Sequence, residues 1–273
     1  MADWQPHLPT PEPPSEETAE WREEAGDRDA NEGNFSRAIG HYKRAARMGP
    51  SSRRATQIAD AYVASDLPEK ALEYYEKALA LDGMDSEAHA GIGDLCVKLA
   101  MSARAITAFE RAVRCNPRRA FFRFRLAVAL ATMGRFERAA QELGAAIELS
   151  PRAPYYRFLL GDVYLQLERF DDAIAELEHA VRLAPKDEYY CVRLGAACLR
   201  AGRATAAIRA FETALTLQPD NLAYRRLLGY ACELGGQADP AQNQNGGQQL
   251  DAYDADYVHR VQRLTRNGHG SPA

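Results

Sequence analysis

AFFRFRLAVALATMGRFERAAQELGAAIELSPRAPYYRFLLGDVYLQLERFDDAIAELEHAVRLAPKD, residues 120–187, contains one pattern written twice, 34 residues apart. In the first copy Leu126-Ala127 is followed by Leu130, Gly134, Ala139, Leu143, Ala146 and Pro151; in the second, Leu160-Gly161 is followed by Tyr164, Glu168, Ala173, Leu177, Ala180 and Pro185. Carried outward, the first small residue recurs at Ala71, Ala105, Ala139, Ala173 and Ala207, and the second at Ala78, Ala112, Ala146, Ala180 and Ala214. The proline recurs at Pro117, Pro151, Pro185 and Pro219. A period held this strictly is the mark of a repeat architecture. Only the step from Ala38 to Ala71 is 33, which places a one-residue deletion near the turn between the first two of six copies.

Apolar residues at helical spacing on either side of Gly134 and its equivalents predict two short amphipathic helices joined by a tight turn. An Ala or Gly at a fixed point on each helix lets the backbones approach, and a Leu, Tyr or Phe between them fills the remaining volume. Proline stops the second helix. One hairpin cannot bury its apolar face alone, so stacked copies share a continuous core.

Leu160-Gly161-x-x-Tyr164, Ala173-x-x-x-Leu177 and Pro185, with Leu194-Gly195, Ala207-x-x-x-Phe211 and Pro219, resemble the tetratricopeptide repeat pattern. Arg123, Arg157 and Cys191 stand where that family often has tryptophan. The resemblance implies an all-α fold, a right-handed α-solenoid of helix-turn-helix repeats whose first helices line a concave surface. By register that surface carries Phe121, Phe124 and Val128, then Tyr155, Phe158, Asp162 and Leu165, then Tyr189 and Val192, with Arg125 and Arg193 beside them. These residues are the candidate groove for a peptide or protein segment, because extended apolar stripes mark interaction sites. Phe122 and Tyr156, their neighbours, are assigned to the core between repeats. A branch of the family grips chaperone C-termini with a lysine, asparagine and arginine clamp; Arg125 and Arg193 match the arginine, but Asp60, Asp94, Val128, Asp162 and Ala196 occupy the asparagine positions, against that activity.

At 273 residues, 46% of them hydrophobic, the chain has material for a packed core, and no apolar run approaches the ~18 residues of a membrane span. Met1 to Pro14 lacks the basic start and apolar run of a secretory signal, so the expectation is a cytoplasmic protein. Five cysteines without a CxxC spacing point to neither disulfides nor zinc. The six histidines fall in no metal-ligand spacing and no phosphate-cradling glycine loop is present, so the chain reads as a non-enzymatic scaffold with no cofactor. A net charge of -4 disfavours bulk affinity for nucleic acid. Charge is nevertheless polarised: residues 1–32 carry ten acidic against two basic residues, and residues 104–138 carry nine arginines against Glu110 and Glu137. That arginine block keeps an RNA-binding helical repeat as an alternative, beside an accessory module for an enzyme encoded elsewhere.

The domain reading is an acidic, proline-rich arm at 1–15, with a first helix beginning near Ser15. Six repeats and a capping helix follow over 16–234, then a polar linker at 235–249. An amphipathic helix at 250–266 and a short tail at 267–273 complete the chain. In the helix Leu250, Tyr253, Tyr257, Val261 and Leu264 recur at spacings of three and four. A helix this short is marginal alone, so its stripe predicts docking on the solenoid, in its own chain or through self-association.

Overall fold

The structure, a computed structural model, describes residues 18–236. The arm at 1–15, residues 237–249 of the linker, the 250–266 segment and the tail lie outside the described residues. Among the described residues there are thirteen α-helices and no strand. They fall into two compact units, Met1–Leu99 and Ala100–Ala273.

Unit 1 holds α1 (Ala19–Asn31), α2 (Phe35–Met48), α3 (Ser52–Ala64), α4 (Pro68–Leu81) and α5 (Ser86–Lys98). Unit 2 holds α6 (Ser102–Cys115), α7 (Ala120–Thr132), α8 (Phe136–Leu149), α9 (Pro154–Gln166), α10 (Phe170–Leu183), α11 (Glu188–Arg200), α12 (Ala204–Leu217) and α13 (Leu222–Leu234). Odd-numbered helices have thirteen residues and even-numbered ones fourteen. A three-residue turn within each hairpin and a four-residue link to the next complete the 34-residue period. The link from α2 to α3, residues 49–51, has only three residues, so the single deletion sits there. The first helix begins at Ala19 rather than near Ser15, because Thr18 caps it by accepting a hydrogen bond from the Trp21 amide at 3.2 Å.

The alanines singled out by the repeat are the contact points. In unit 1 Ala38, Ala71 and Ala78 are fully buried, and in unit 2 Ala105, Ala139, Ala173, Ala207 and their partners are likewise. Glycine permits the closest crossings: a Cβ on Gly161 would lie 2.7 Å from Leu177 Cγ and 3.2 Å from the Ala173 carbonyl oxygen. The hairpin turns use one left-handed residue, at Gly33, Asp66, Ala100, Gly134, Glu168, Gly202 and Gly236, all with φ between 57° and 78°. Four glycines fit this backbone without strain; Asp66, Ala100 and Glu168 adopt it at a cost.

Polar groups within the hairpins follow the same register. In unit 1 the Tyr42 hydroxyl donates to Asp27 at 2.7 Å and the Tyr75 hydroxyl to Asp60 at 2.5 Å. Burial, foremost, pushes both phenols upward from their ordinary pKa, with the facing carboxylates adding to it. In unit 2 the guanidinium of Arg123 donates to Glu142 and that of Arg157 to Glu176, both at 2.8 Å. The arginines at the family's tryptophan position thus tie the first helix of a hairpin to the second.

Two substitutions test this account with opposite signs. Glu168→Gly removes a left-handed non-glycine residue and is expected to raise stability by about 1 kcal/mol. Gly161→Ala crowds Leu177 and is expected to lower it by about 1–3 kcal/mol. Urea titration of each variant, with helical content followed by circular dichroism, reads both.

Candidate functional site

The candidate face lies on the first helices of unit 2, α7, α9 and α11. Steps of three and four separate Phe121, Phe124 and Val128 on α7, with Arg125 next to Phe124, and steps of three, four and three separate Tyr155, Phe158, Asp162 and Leu165 on α9. Each set therefore forms a stripe along its helix. The stripes are connected by rings. Phe121 stands 6.2 Å from Phe124 between ring centres, Phe124 5.1 Å from Tyr155, Tyr155 6.2 Å from Phe158, and Phe158 5.2 Å from Tyr189. Phe124 also packs 5.4 Å from Tyr156, and Phe158 5.1 Å from Tyr190. The aromatic ring near the start of one first helix is thus clasped by the two adjacent rings that begin the next.

This clasp corrects the expectation that the whole set faces solvent. Phe124, Arg125, Val128, Phe158, Asp162, Leu165, Val192 and Arg193 are buried; Phe121, Tyr155 and Tyr189 remain partly exposed. The assignment of Phe122 to the core holds, with 0% of its surface exposed, while Tyr156 is half-buried. Register placed the residues on the right helices but could not weigh how far a neighbouring ring would cover them.

Under the aromatic row lies a buried ion pair. Arg193 of α11 donates through Nε at 2.8 Å and through a terminal nitrogen at 2.6 Å to Asp162 Oδ1 of α9, and both side chains are 1% exposed. Charge-assisted hydrogen bonds of this kind offset the cost of taking two ions out of water only when the geometry is good, and here two donors converge on one oxygen. Arg125 lies with its guanidinium 5.4 Å from the centre of the Phe109 ring. The Tyr155 hydroxyl is buried and finds no hydrogen-bond partner among the described residues. Burial raises its pKa most; the nearby Tyr190 and Asp162 add to the rise, and Arg125 opposes it. It is therefore a neutral donor at any ordinary pH.

The paired arginines of α7 and α9 were not foreseen, although the 19-residue separation from Arg123 to Glu142 recurs from Arg157 to Glu176 and was legible. A basic cluster in unit 1 was also missed. Lys43 lies 5.2 Å from the Tyr62 ring centre and 5.4 Å from that of Tyr74, with Lys70 5.7 Å from Tyr62 and Lys77 4.2 Å from Tyr74. Ammonium groups already cover these rings, so the cluster presents charge rather than a stacking platform for bases. Among the described residues no group of His, Cys, Asp and Glu is placed to hold a metal ion, and no helix is long and apolar enough to cross a membrane. The described cysteines form no disulfide, with Cys96, Cys191 and Cys198 buried and Cys115 and Cys232 partly so.

Helical hairpins repeated in strict register, each closed on small residues, define the class of α-solenoid repeat proteins. The tetratricopeptide repeat model matches residues 56–120, 92–144, 124–188 and 193–241, and the chain belongs to that family. Membership supports a protein-interaction scaffold as its class of function. Among solved structures the chain is similar to YrrB, a tetratricopeptide repeat protein with an unusual peptide-binding site. That match has 22% identity over 67% of this chain and 95% of the other, with a TM-score of 0.60. It is similar to MamA (41-end) from Desulfovibrio magneticus RS-1, with 23% identity over 64% and 99% of the two chains and a TM-score of 0.59. It also resembles pilF of Pseudomonas aeruginosa, at 16% identity over 76% and 95% and a TM-score of 0.64. At these identities the likeness is one of fold. No curated protein sequence matches the chain.

The buried pair and the solvent-facing pairs should respond differently to truncation. Asp162→Ala leaves Arg193 without its carboxylate in the interior and is expected to cost about 3–5 kcal/mol. Glu142→Ala removes a partner that water can replace and is expected to cost about 1 kcal/mol or less. Chemical denaturation of both variants provides the comparison.

Proposed function

We propose that the chain is a non-enzymatic scaffold that holds a peptide or an extended protein segment across the first-helix face of unit 2. The observation that carries this reading is the Tyr155 hydroxyl, a buried donor without a partner, set in a row of half-exposed rings at Phe121, Tyr155 and Tyr189. A row of aromatic rings 34 residues apart supplies contact area at small entropic cost, since each ring has two torsions to fix. Phe124, Phe158, Val128, Leu165 and Val192 form the floor on which those rings are held. Asp162 and Arg193 lock α9 to α11 beneath them, so the face is preorganised rather than assembled on binding. A peptide carbonyl can become the acceptor for Tyr155 where the ligand displaces the side chains that cover its hydroxyl, and every residue of an extended segment offers one. Affinity would come from the rings, and register along the ligand from the hydroxyl.

The proposal is tested by selecting peptides from a random displayed library on the immobilised chain and measuring the enriched peptides against variants. Tyr155→Phe keeps the ring and deletes the donor. It is expected to weaken binding by about fivefold, the equivalent of one net hydrogen bond of about 1 kcal/mol, with thermal stability unchanged or slightly raised. Phe121→Ala combined with Tyr189→Ala is expected to remove binding with helical content retained. Equal affinity of the selected peptides for wild type and both variants would place the site elsewhere.

A further inference from the structure

The last described helix, α13, is a first helix without its second. The α7, α9 and α11 helices each pass through a three-residue turn into a second helix that packs back on them, α8, α10 and α12. Those turns carry Gly134, Glu168 and Gly202 in the left-handed conformation, with φ of 69°, 57° and 71°. Gly236 follows Gly202 by 34 residues and has φ 69°. The chain therefore leaves α13 through the same conformation that sends it back along its own helix at each preceding hairpin.

The surface that a second helix would cover is open. On α7 the equivalent positions are Leu126, Ala127 and Leu130, exposed by 2%, 0% and 0%. On α13 they are Leu228, Gly229 and Cys232, all partly exposed. Beside them Glu212, Leu215 and Thr216 of α12, Pro219, Arg225 and Leu228 line an open cavity of about 380 Å³ whose accessible wall is mostly apolar. Leu222 and Leu234, at the two ends of α13, are 64% and 56% exposed. Apolar surface of this extent at the end of a repeat array is what a capping element removes from water.

The following 37 residues, 237–273, contain one segment with a matching face. Leu250, Tyr253, Tyr257, Val261 and Leu264 form a single stripe in 250–266. We propose that this segment docks in the same chain, on α13 and the edge of α12, in the place of a second helix for a seventh hairpin. The thirteen residues from 237 to 249 have an r.m.s. reach of about 20 Å, the length of α13, so either direction of packing is within reach. Charge selects between them. At the end of α13 that carries Glu233, a parallel segment brings Arg263 and Arg266 to it, whereas an antiparallel one brings Asp251 and Asp254; at the other end Arg225 already pairs with Asp220 and does not discriminate. The parallel arrangement also gives the linker its purpose, since a three-residue turn yields only an antiparallel neighbour and a parallel one needs the chain carried back along α13 first. Tethering at this distance gives an effective concentration in the range of ~1 mM, enough to hold a face that would be weak between free partners.

The test uses the full chain and two readouts. In Tyr257→Asp combined with Val261→Asp, the amides of α13 are expected to exchange with deuterium about tenfold faster than in wild type, while those of α7 to α11 keep their rates. Separately, Tyr253→Cys or Val261→Cys in a Cys115→Ser background is oxidised and the disulfide to Cys232 is mapped by mass spectrometry. A bond within one chain from Val261→Cys is expected; the same bond from Tyr253→Cys instead would support the docking and reverse its direction. Unchanged exchange in α13, with no disulfide from either variant, overturns the proposal. A disulfide between chains, with a doubled mass in solution, also overturns it by naming a second copy as the occupant.

Discussion

The close crossing of a first helix with its second is the constraint on which the other features depend. At Gly161 a single methyl would meet both a side-chain carbon and a backbone oxygen of α10, so the two helices touch at backbone distance. Once a crossing is that tight, the volume around it is fixed, and the residue that fills it must have a set size: Tyr42 or Tyr75 in unit 1, Leu177 or Phe211 in unit 2. The 34-residue period follows from repeating this one contact with constant helix and turn lengths. A lost residue is tolerated in the α2–α3 link, where it shifts the connection and leaves the crossings intact.

Buried polar groups are handled differently in the two units, and the difference starts from the filler. Where the filler is tyrosine, its hydroxyl reaches back to a carboxylate of the first helix, as Tyr75 does to Asp60. In the hairpin of α9 and α10 the filler is Leu177, which has nothing to offer, and Asp162 receives Arg193 from the following first helix. Exchanging a bond within a hairpin for one between hairpins makes neighbouring repeats answer to each other. The same region carries the aromatic row from Phe121 to Tyr189, so the most interlocked part of unit 2 is also the part proposed to meet a ligand. That combination suits recognition, because a face fixed in advance does not spend binding energy on ordering itself.

A one-dimensional core has ends, and the ends carry costs that the middle does not. Inside unit 2 each first helix is followed by a second, and of its positions equivalent to Leu126, Ala127 and Leu130 at most one stays partly exposed, Tyr164 on α9 and Leu194 on α11. The α13 helix repeats that apolar sequence without the cover, which is why its Leu228 and Cys232 remain partly accessible. A chain that ends a repeat array must either change the residues of its last face or supply something to lie on it. Here the residues are unchanged, and the remaining chain holds a segment with a fitting stripe.

The sequence by itself determined the period, the pair of helices in each repeat, the small residues at the crossings and the helices that carry the candidate face. These were legible because each depends on spacing along the chain, and spacing is what a sequence records directly. Tertiary structure decided which of those residues meet water. Phe124 and Phe158 are written like ligand-facing rings, and the rings at 155–156 and 189–190, arriving from the next repeat, cover them. Asp162 is written like Asp60 and Asp94 at the equivalent positions, and only the approach of α11 turns it into half of a buried ion pair. Tyr155 differs from Phe121, its equivalent in the preceding repeat, by one oxygen, and the folded chain alone shows that this oxygen is buried and unmatched among the described residues. Burial is a sum over neighbours that come from distant parts of the chain, so a local pattern cannot contain it.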